Sequence, residues 1–389
     1  MNRDLTRLSQ HLAFTDWLIH KEPEVWQWFS QKEDESENAE AVRLSLLRDT
    51  YRLDAESHPD VFREAEAARA ALGLETTLAL YQGQGGLLPN AAVCHLPGEA
   101  HLVFSGPILS LLTHDELRAV IGHELAHHML WQAEGGAYLL ADRILDAASA
   151  HPAATPSHER SARLWRLATE LFADRGAYVA CGSLEPAVSG LVKSLTGLAQ
   201  VSAPSYLAQA DEIFAKSNPK TAGLTHPEAF IRARALKLWV EQDESLDAEI
   251  ARMLDGDDGL DDLTLVQQEI LTEFTRRLWH HLLRPEWARS DEALALAKSY
   301  FPEFRPDDAA DDSLAADWEK LPPPWREYGC QVMLDFCASD PEALEQSAGR
   351  ALAFAREAGC LGVMEKLLAK ELKMKVRDLK RLKETEVKP

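Results

Sequence analysis

The chain has 389 residues, of which 46% are hydrophobic and 27% charged, a globular balance that excludes a disordered polypeptide. That length exceeds what a single hydrophobic core usually supports, so at least two domains are expected. A formal net charge of −22 opposes approach to a nucleic-acid backbone or an anionic membrane, and neither is expected as the main partner.

Residues 1–70 carry apolar positions at helical spacing, as in Leu5, Leu8, Leu12 and Trp17, interrupted by the acidic stretch 32–40. They predict an N-terminal helical segment that packs on the central domain. Between Thr76 and Gly106 the texture changes to TLALYQG, NAAVCHL and HLVFSG, separated by GQGG and PGEA. Short runs of this kind between turn residues predict a small antiparallel sheet. From Thr113 onward the pattern is helical almost to the end. The acidic, glycine-bearing stretch Leu254–Asp262 marks a boundary, Pro306–Pro324 reads as a long loop, and the stretch from Lys366 to Lys388 reads as a solvated amphipathic helix end.

The expected fold is therefore mainly α with a small antiparallel β-sheet (α+β). It comprises the segment 1–70, a central domain 71–256 and a helical C-terminal domain 257–389. No stretch has the roughly 18–20 uncharged apolar residues needed to cross a bilayer, and charge interrupts the N-terminus where a signal peptide is apolar. A soluble, cytoplasmic protein without a transmembrane segment is expected. Cys94, Cys181, Cys330, Cys337 and Cys360 are scattered without a CxxC pair and are expected as free thiols.

The strongest chemical signal is His123-Glu124-Leu125-Ala126-His127. Thr113 and Glu116 form a capping box ahead of it, Asp115 and Glu116 suit a helix start, and Leu117, Ile121, Leu125 and Met129 make an apolar stripe. Histidines at i and i+4 on one helical face can hold a single zinc ion, with the intervening Glu124 beside the open coordination position as general base. A third ligand is needed, and Glu170 in the helical segment ATELFADRGA is chosen over Glu134, Glu159, His151 and His158. Its partner at i+4, Asp174, can accept the free N–H of a ligand histidine and fix its orientation. One zinc per chain is expected.

Four ordered segments resemble the zinc metallopeptidases that include the HtpX heat-shock peptidases and the CAAX prenyl endopeptidases. They are Pro89-Asn90-Ala91, Phe104–His128, Glu170–Ala177, and His226-Pro227 with Arg232 six residues after the histidine. The resemblance covers about Leu72 to Val240. It implies a zincin (gluzincin) catalytic domain whose strand at Asn90-Ala91 binds substrate backbone by strand addition. It also implies that His226 lies near the scissile carbonyl and that Arg232 stabilises the region. From the residues alone, Thr225-His226-Pro227-Glu228 is equally a helix start, and Asn90 a turn residue. Unlike the best-known members, this chain lacks transmembrane segments, which removes the basis for assigning a membrane or prenylated substrate.

The expected activity is that of a zinc-dependent metalloendopeptidase acting on a peptide or protein substrate. The alternative is a regulatory or binding protein that keeps a zincin scaffold and works through its C-terminal helices. That region is in either case a candidate surface for a regulatory partner or for self-association.

Overall fold

Helical periodicity dominates the chain and strand alternation is confined to residues 50–105. The computed structural model, which describes residues 5–31, 35–216, 229–254 and 259–384, follows that division. The chain separates into two compact units, residues 1–257 and 258–389. The first contains α1 (Ser9–Lys21), α2 (Pro23–Ser30), α3 (Glu35–Asp49), β1 (Thr50–Arg52), α4 (Pro59–Ala71), β2 (Thr77–Gly83), β3 (Asn90–Leu96) and β4 (Glu99–Ser105). It continues through α5 (Ile108–Leu111), α6 (His114–Gln132), α7 (Ala137–Ala150), α8 (Pro156–Cys181), α9 (Leu184–Thr196), α10 (Ala203–Lys216), α11 (Ala229–Glu241) and α12 (Leu246–Leu254).

The sheet has the order β1-β2-β4-β3. It is mixed, which corrects the antiparallel expectation: β1 with β2 and β3 with β4 are antiparallel, but β2 and β4 run parallel from Thr77↔Glu99 to Gln82↔Phe104. Burial explains the arrangement. On β4, Ala100, His101, Leu102 and Phe104 are all buried, whereas β3 is only partly so, and the strand with most surface to hide takes the interior slot. The two are joined by Pro97-Gly98, whose glycine at φ 76 suits the second central position of a type II turn. The consequence for function is that β3 lies at an edge, with no strand paired to its other side among the described residues. The expected all-helical segment 1–70 likewise contributes β1 at the other edge, a strand too short to leave a periodicity in the sequence.

Under the sheet, Leu80, Leu102, Phe104 and Ile108 pack with Leu117, Ile121 and Leu125 of α6. The capping box forms as expected: the Thr113 N–H donates to Glu116 Oε2 at 2.8 Å, and the Glu116 N–H donates to Thr113 Oγ1 at 3.4 Å. Glu116 also accepts from Lys193 Nζ of α9 at 2.8 Å, a buried pair that ties α9 to the first turn of α6. Crossing α6 is α8, and the contact is made by two glycines. A Cβ added to Gly122 would lie 2.2 Å from the Ala180 Cβ, and one added to Gly176 would lie 2.3 Å from the Ala126 Cβ. Only bare backbones can approach so closely.

Behind α8 sits α1, whose His11 is fully buried against Trp165 and Phe172 and places Nε2 3.2 Å from Thr169 Oγ1. Burial, reinforced by Arg175 and Arg7, lowers its pKa to about 3. The folded value is thus below the unfolded one, so the contribution to stability is complete above about pH 6.5 and is lost as the unfolded chain takes up a proton that the native state refuses. Urea unfolding is expected to show stability falling by about 1.4 kcal/mol per pH unit from this group below pH 6.5. A His11→Phe variant should lose one proton's worth of that slope, and an unchanged slope would contradict the assignment.

The second unit contains α13 (Leu265–Leu282), α14 (Asp291–Tyr300), α15 (Leu314–Glu319), α16 (Pro323–Ser339), α17 (Leu344–Glu357), α18 (Leu361–Glu371) and α19 (Val376–Glu384). Trp279, Leu282, Leu283, Met333 and Phe336 are buried together with Trp318, Phe354, Cys330, Cys337 and Cys360. The expected loop 306–324 differs, because it includes α15. Leu314 and Trp318 are buried one turn apart there, two anchors that the Asp, Ala and Pro composition around them conceals. Cys94, Cys181, Cys330, Cys337 and Cys360 are all free thiols. Among the described residues no helix is long and apolar enough to cross a membrane.

Candidate metal centre and active site

The i, i+4 spacing on α6 puts His123 and His127 on one face, and the glycine contact with α8 brings Glu170 against them. The two Nε2 atoms are 3.2 Å apart. His123 Nε2 is 3.6 Å from Glu170 Oε2, and His127 Nε2 is 3.7 Å from Glu170 Oε1. A tetrahedral metal with bonds of about 2.0–2.2 Å to nitrogen and oxygen requires ligand atoms roughly 3.3–3.6 Å apart. The three separations lie within about 0.1 Å of that range, with the two Glu170 oxygens each facing one histidine. Among the described residues this is also the one group of three such side chains close enough to share an ion, so the residues present fit a metal.

Asp174, one turn after Glu170, stands 3.2 Å from His123 Nδ1. Accepting that N–H leaves the Nε2 lone pair directed at the triangle. Arg232 from α11 grips Asp174 with two bonds of 2.8 and 2.6 Å and reaches Glu170 Oε2 at 3.0 Å. Burial alone would push Asp174 up, but Arg232 and His123 outweigh it and hold the carboxyl below its usual range. On His123 burial opposes charge, and Asp174 overcomes it and raises the pKa. His127 has no such partner: burial, then the neighbouring His123, holds it down at about 4. It is therefore a neutral imidazole, the form that can donate a lone pair.

Glu124 faces the same cavity, of about 550 Å³, that His123, His127 and Glu170 line. Burial pushes its carboxyl up to about 7, with His123 pulling it down and Glu170 pushing it further up. The Val93 backbone of β3 also acts on it, in the lowering sense. Asn90 and Ala91 both line the cavity.

The sequence of residues 64–240 matches peptidase family M48. This region belongs to that family. Neither a curated protein nor a solved structure matches the chain. M48 peptidases depend on a metal, so the first unit carries a metallopeptidase domain, and the cluster His123, His127 and Glu170 lies inside the M48 region.

His226 also falls within the M48 region but lies outside the described residues. Arg232, assigned a stabilising role by resemblance, touches Asp174 and Glu170 directly. The residues that sequence reasoning passed over surround the M48 cluster. Trp131, four residues after His127 on α6, lays its ring on the His127 imidazole at 5.5 Å with an interplanar angle of 26°. Because His127 Nδ1 is buried without a hydrogen-bond partner among the described residues, this stacking holds the ring where a carboxylate would otherwise do so. The i+4 spacing from a ligand was the available signal. His128, adjacent to His127, turns away to Thr76 Oγ1 at 3.0 Å and His95 Nδ1 at 2.8 Å and ties α6 to β3.

Proposed function

We propose that the chain is a zinc-dependent endopeptidase in which His123, His127 and Glu170 hold one zinc ion and Glu124 is the general base. The observation that carries this reading is the convergence of two Nε2 atoms and a carboxylate, close to tetrahedral ligand spacing, beside Glu124 and the edge strand β3. Zinc bound there would polarise a carbonyl oxygen and acidify water.

The protein's own groups do the rest. An extended peptide adds to the free edge of β3 at Asn90-Ala91, its main chain pairing with outward-facing backbone groups. Glu124 accepts a proton from the attacking water and returns it to the departing amine nitrogen. Asp174 and Arg232 hold His123 and Glu170 in place through the whole cycle, and His226 is assigned by its motif to the developing oxyanion. Residues 258–389 are proposed as a separately folding domain that recruits substrate or controls access to the cleft.

Purified protein should contain one equivalent of zinc, and a chelator should abolish cleavage of an unstructured protein, with recovery on zinc addition. A His123→Ala, His127→Ala double variant should retain its fold by circular dichroism and contain no zinc. Full zinc retention in that variant would sink the metal assignment.

A further inference from the structure

The cleft has two chemically different halves on either side of the ligand cluster. Its first half flanks the start of α6, where α9 packs: a Cβ added to Gly190 would lie 3.3 Å from the Glu116 carbonyl oxygen and 3.5 Å from a Val120 methyl. Ala187, Leu191 and Leu195 line the cavity there with Ser194, and this wall is mainly apolar. The second half flanks the end of α6 at Trp131, where α7 comes next. Its lining includes Asp142 and Asp146 of α7 with Arg166 of α8.

Charge is unbalanced in that second half. Arg166 pairs with Asp146 at 3.4 Å. Asp142 accepts from the Trp165 indole N–H at 2.8 Å, and among the described residues no lysine or arginine forms an ion pair with it. Burial, then the nearby Asp146, pushes its carboxyl up to about 6, against the pull of the Trp165 hydrogen bond and of the more distant Arg166 and Arg143. The chain as a whole repeats the bias, with 63 acidic against 41 basic side chains, a field that draws cationic ligands inward. The cleft is a ligand site on independent grounds, because the metal-ligand cluster and the free strand edge line the same cavity.

We propose that Asp142 determines specificity by binding a lysine or arginine side chain of the substrate, while the residue across the scissile bond lies against the apolar α9 wall. This selectivity rests on the peptidase reading and names its substrate class: extended segments with a basic residue on one side of the cleaved bond and an apolar one on the other. A charge-assisted hydrogen bond in a partly dry site is worth roughly 10- to 100-fold in affinity.

The test uses the full-length zinc-loaded protein, a degenerate peptide library and mass-spectrometric mapping of cleavage sites. Lysine or arginine is expected to be enriched within three residues on one side of the cut, with kcat/KM roughly 10-fold or more above that of the matched glutamine peptide. Asp142→Asn keeps an acceptor for the Trp165 N–H, so the fold should survive, and it should bring the ratio of basic to neutral kcat/KM close to one. Asp142→Glu should preserve the preference, which separates charge from shape. Glu124-dependent cleavage without basic enrichment, or with a ratio unmoved in Asp142→Asn, would overturn the selectivity alone. Absence of any Glu124-dependent cleavage would overturn the peptidase reading and the selectivity with it.

Discussion

Glu124→Gln is expected to lower peptide hydrolysis by roughly 10²- to 10⁴-fold, the range for removing a general base, while zinc content stays at one per chain. The substitution is nearly isosteric and keeps the residue in the cavity it lines. It does not touch His123, His127 or Glu170, whose mutual spacing makes the metal triangle. On the proposed mechanism it removes the group that carries the proton from water to the leaving amine. The loss should therefore fall in kcat, with KM little changed. Elemental analysis and steady-state kinetics on the same preparation provide the check. A variant that retained wild-type kcat would rule out Glu124 as the base.

The second large effect comes from a residue with no side chain. Gly176→Ala improves helix propensity by about 1 kcal/mol in isolation, yet the new methyl would lie 2.3 Å from the Ala126 Cβ and 3.0 Å from the Gly122 carbonyl oxygen. Both are anchored to the backbone of α6, so neither can swing aside, and the helices must separate. Overpacking of this kind costs about 1–3 kcal/mol, which outweighs the gain in propensity. The damage should extend beyond stability, because Ala126 lies between His123 and His127 while Gly176 lies six residues after Glu170. Moving α6 from α8 enlarges the ligand triangle, and a misplacement near 1 Å can cost about 100-fold in activity.

Gly176→Ala is accordingly expected to lower zinc affinity and activity together, measured by competition with a chromogenic chelator and by peptide cleavage. Gly362→Ala on α18 is the control. A Cβ there meets nothing within 4 Å, so that change should stabilise the protein by about 0.4–1 kcal/mol. Equal behaviour of the two variants would mean that the α6–α8 contact does not set the ligand geometry.

Local chemistry was legible in the sequence. The capping box at Thr113 and Glu116, the helical face bearing His123 and His127, and Glu170 with Asp174 one turn apart are all relations within one helix, where a fixed rise and twist convert spacing directly into geometry. The helical pattern beyond the acidic stretch Leu254–Asp262 likewise announced a second helical domain, in which Trp279, Met333 and Phe336 are buried. Pairing between elements was decided only by the tertiary structure. Nothing in the alternation of 77–105 specifies that β4 enters between β2 and β3, because a strand's pattern records which face is buried and not which neighbour it meets. Arg232 across Asp174 and Glu170, and Asp142 at the far end of the cleft, depend on how α6, α7, α8 and α11 cross. Those crossings are set by side-chain volumes packed at close quarters, and at Gly122 and Gly176 by the absence of a side chain.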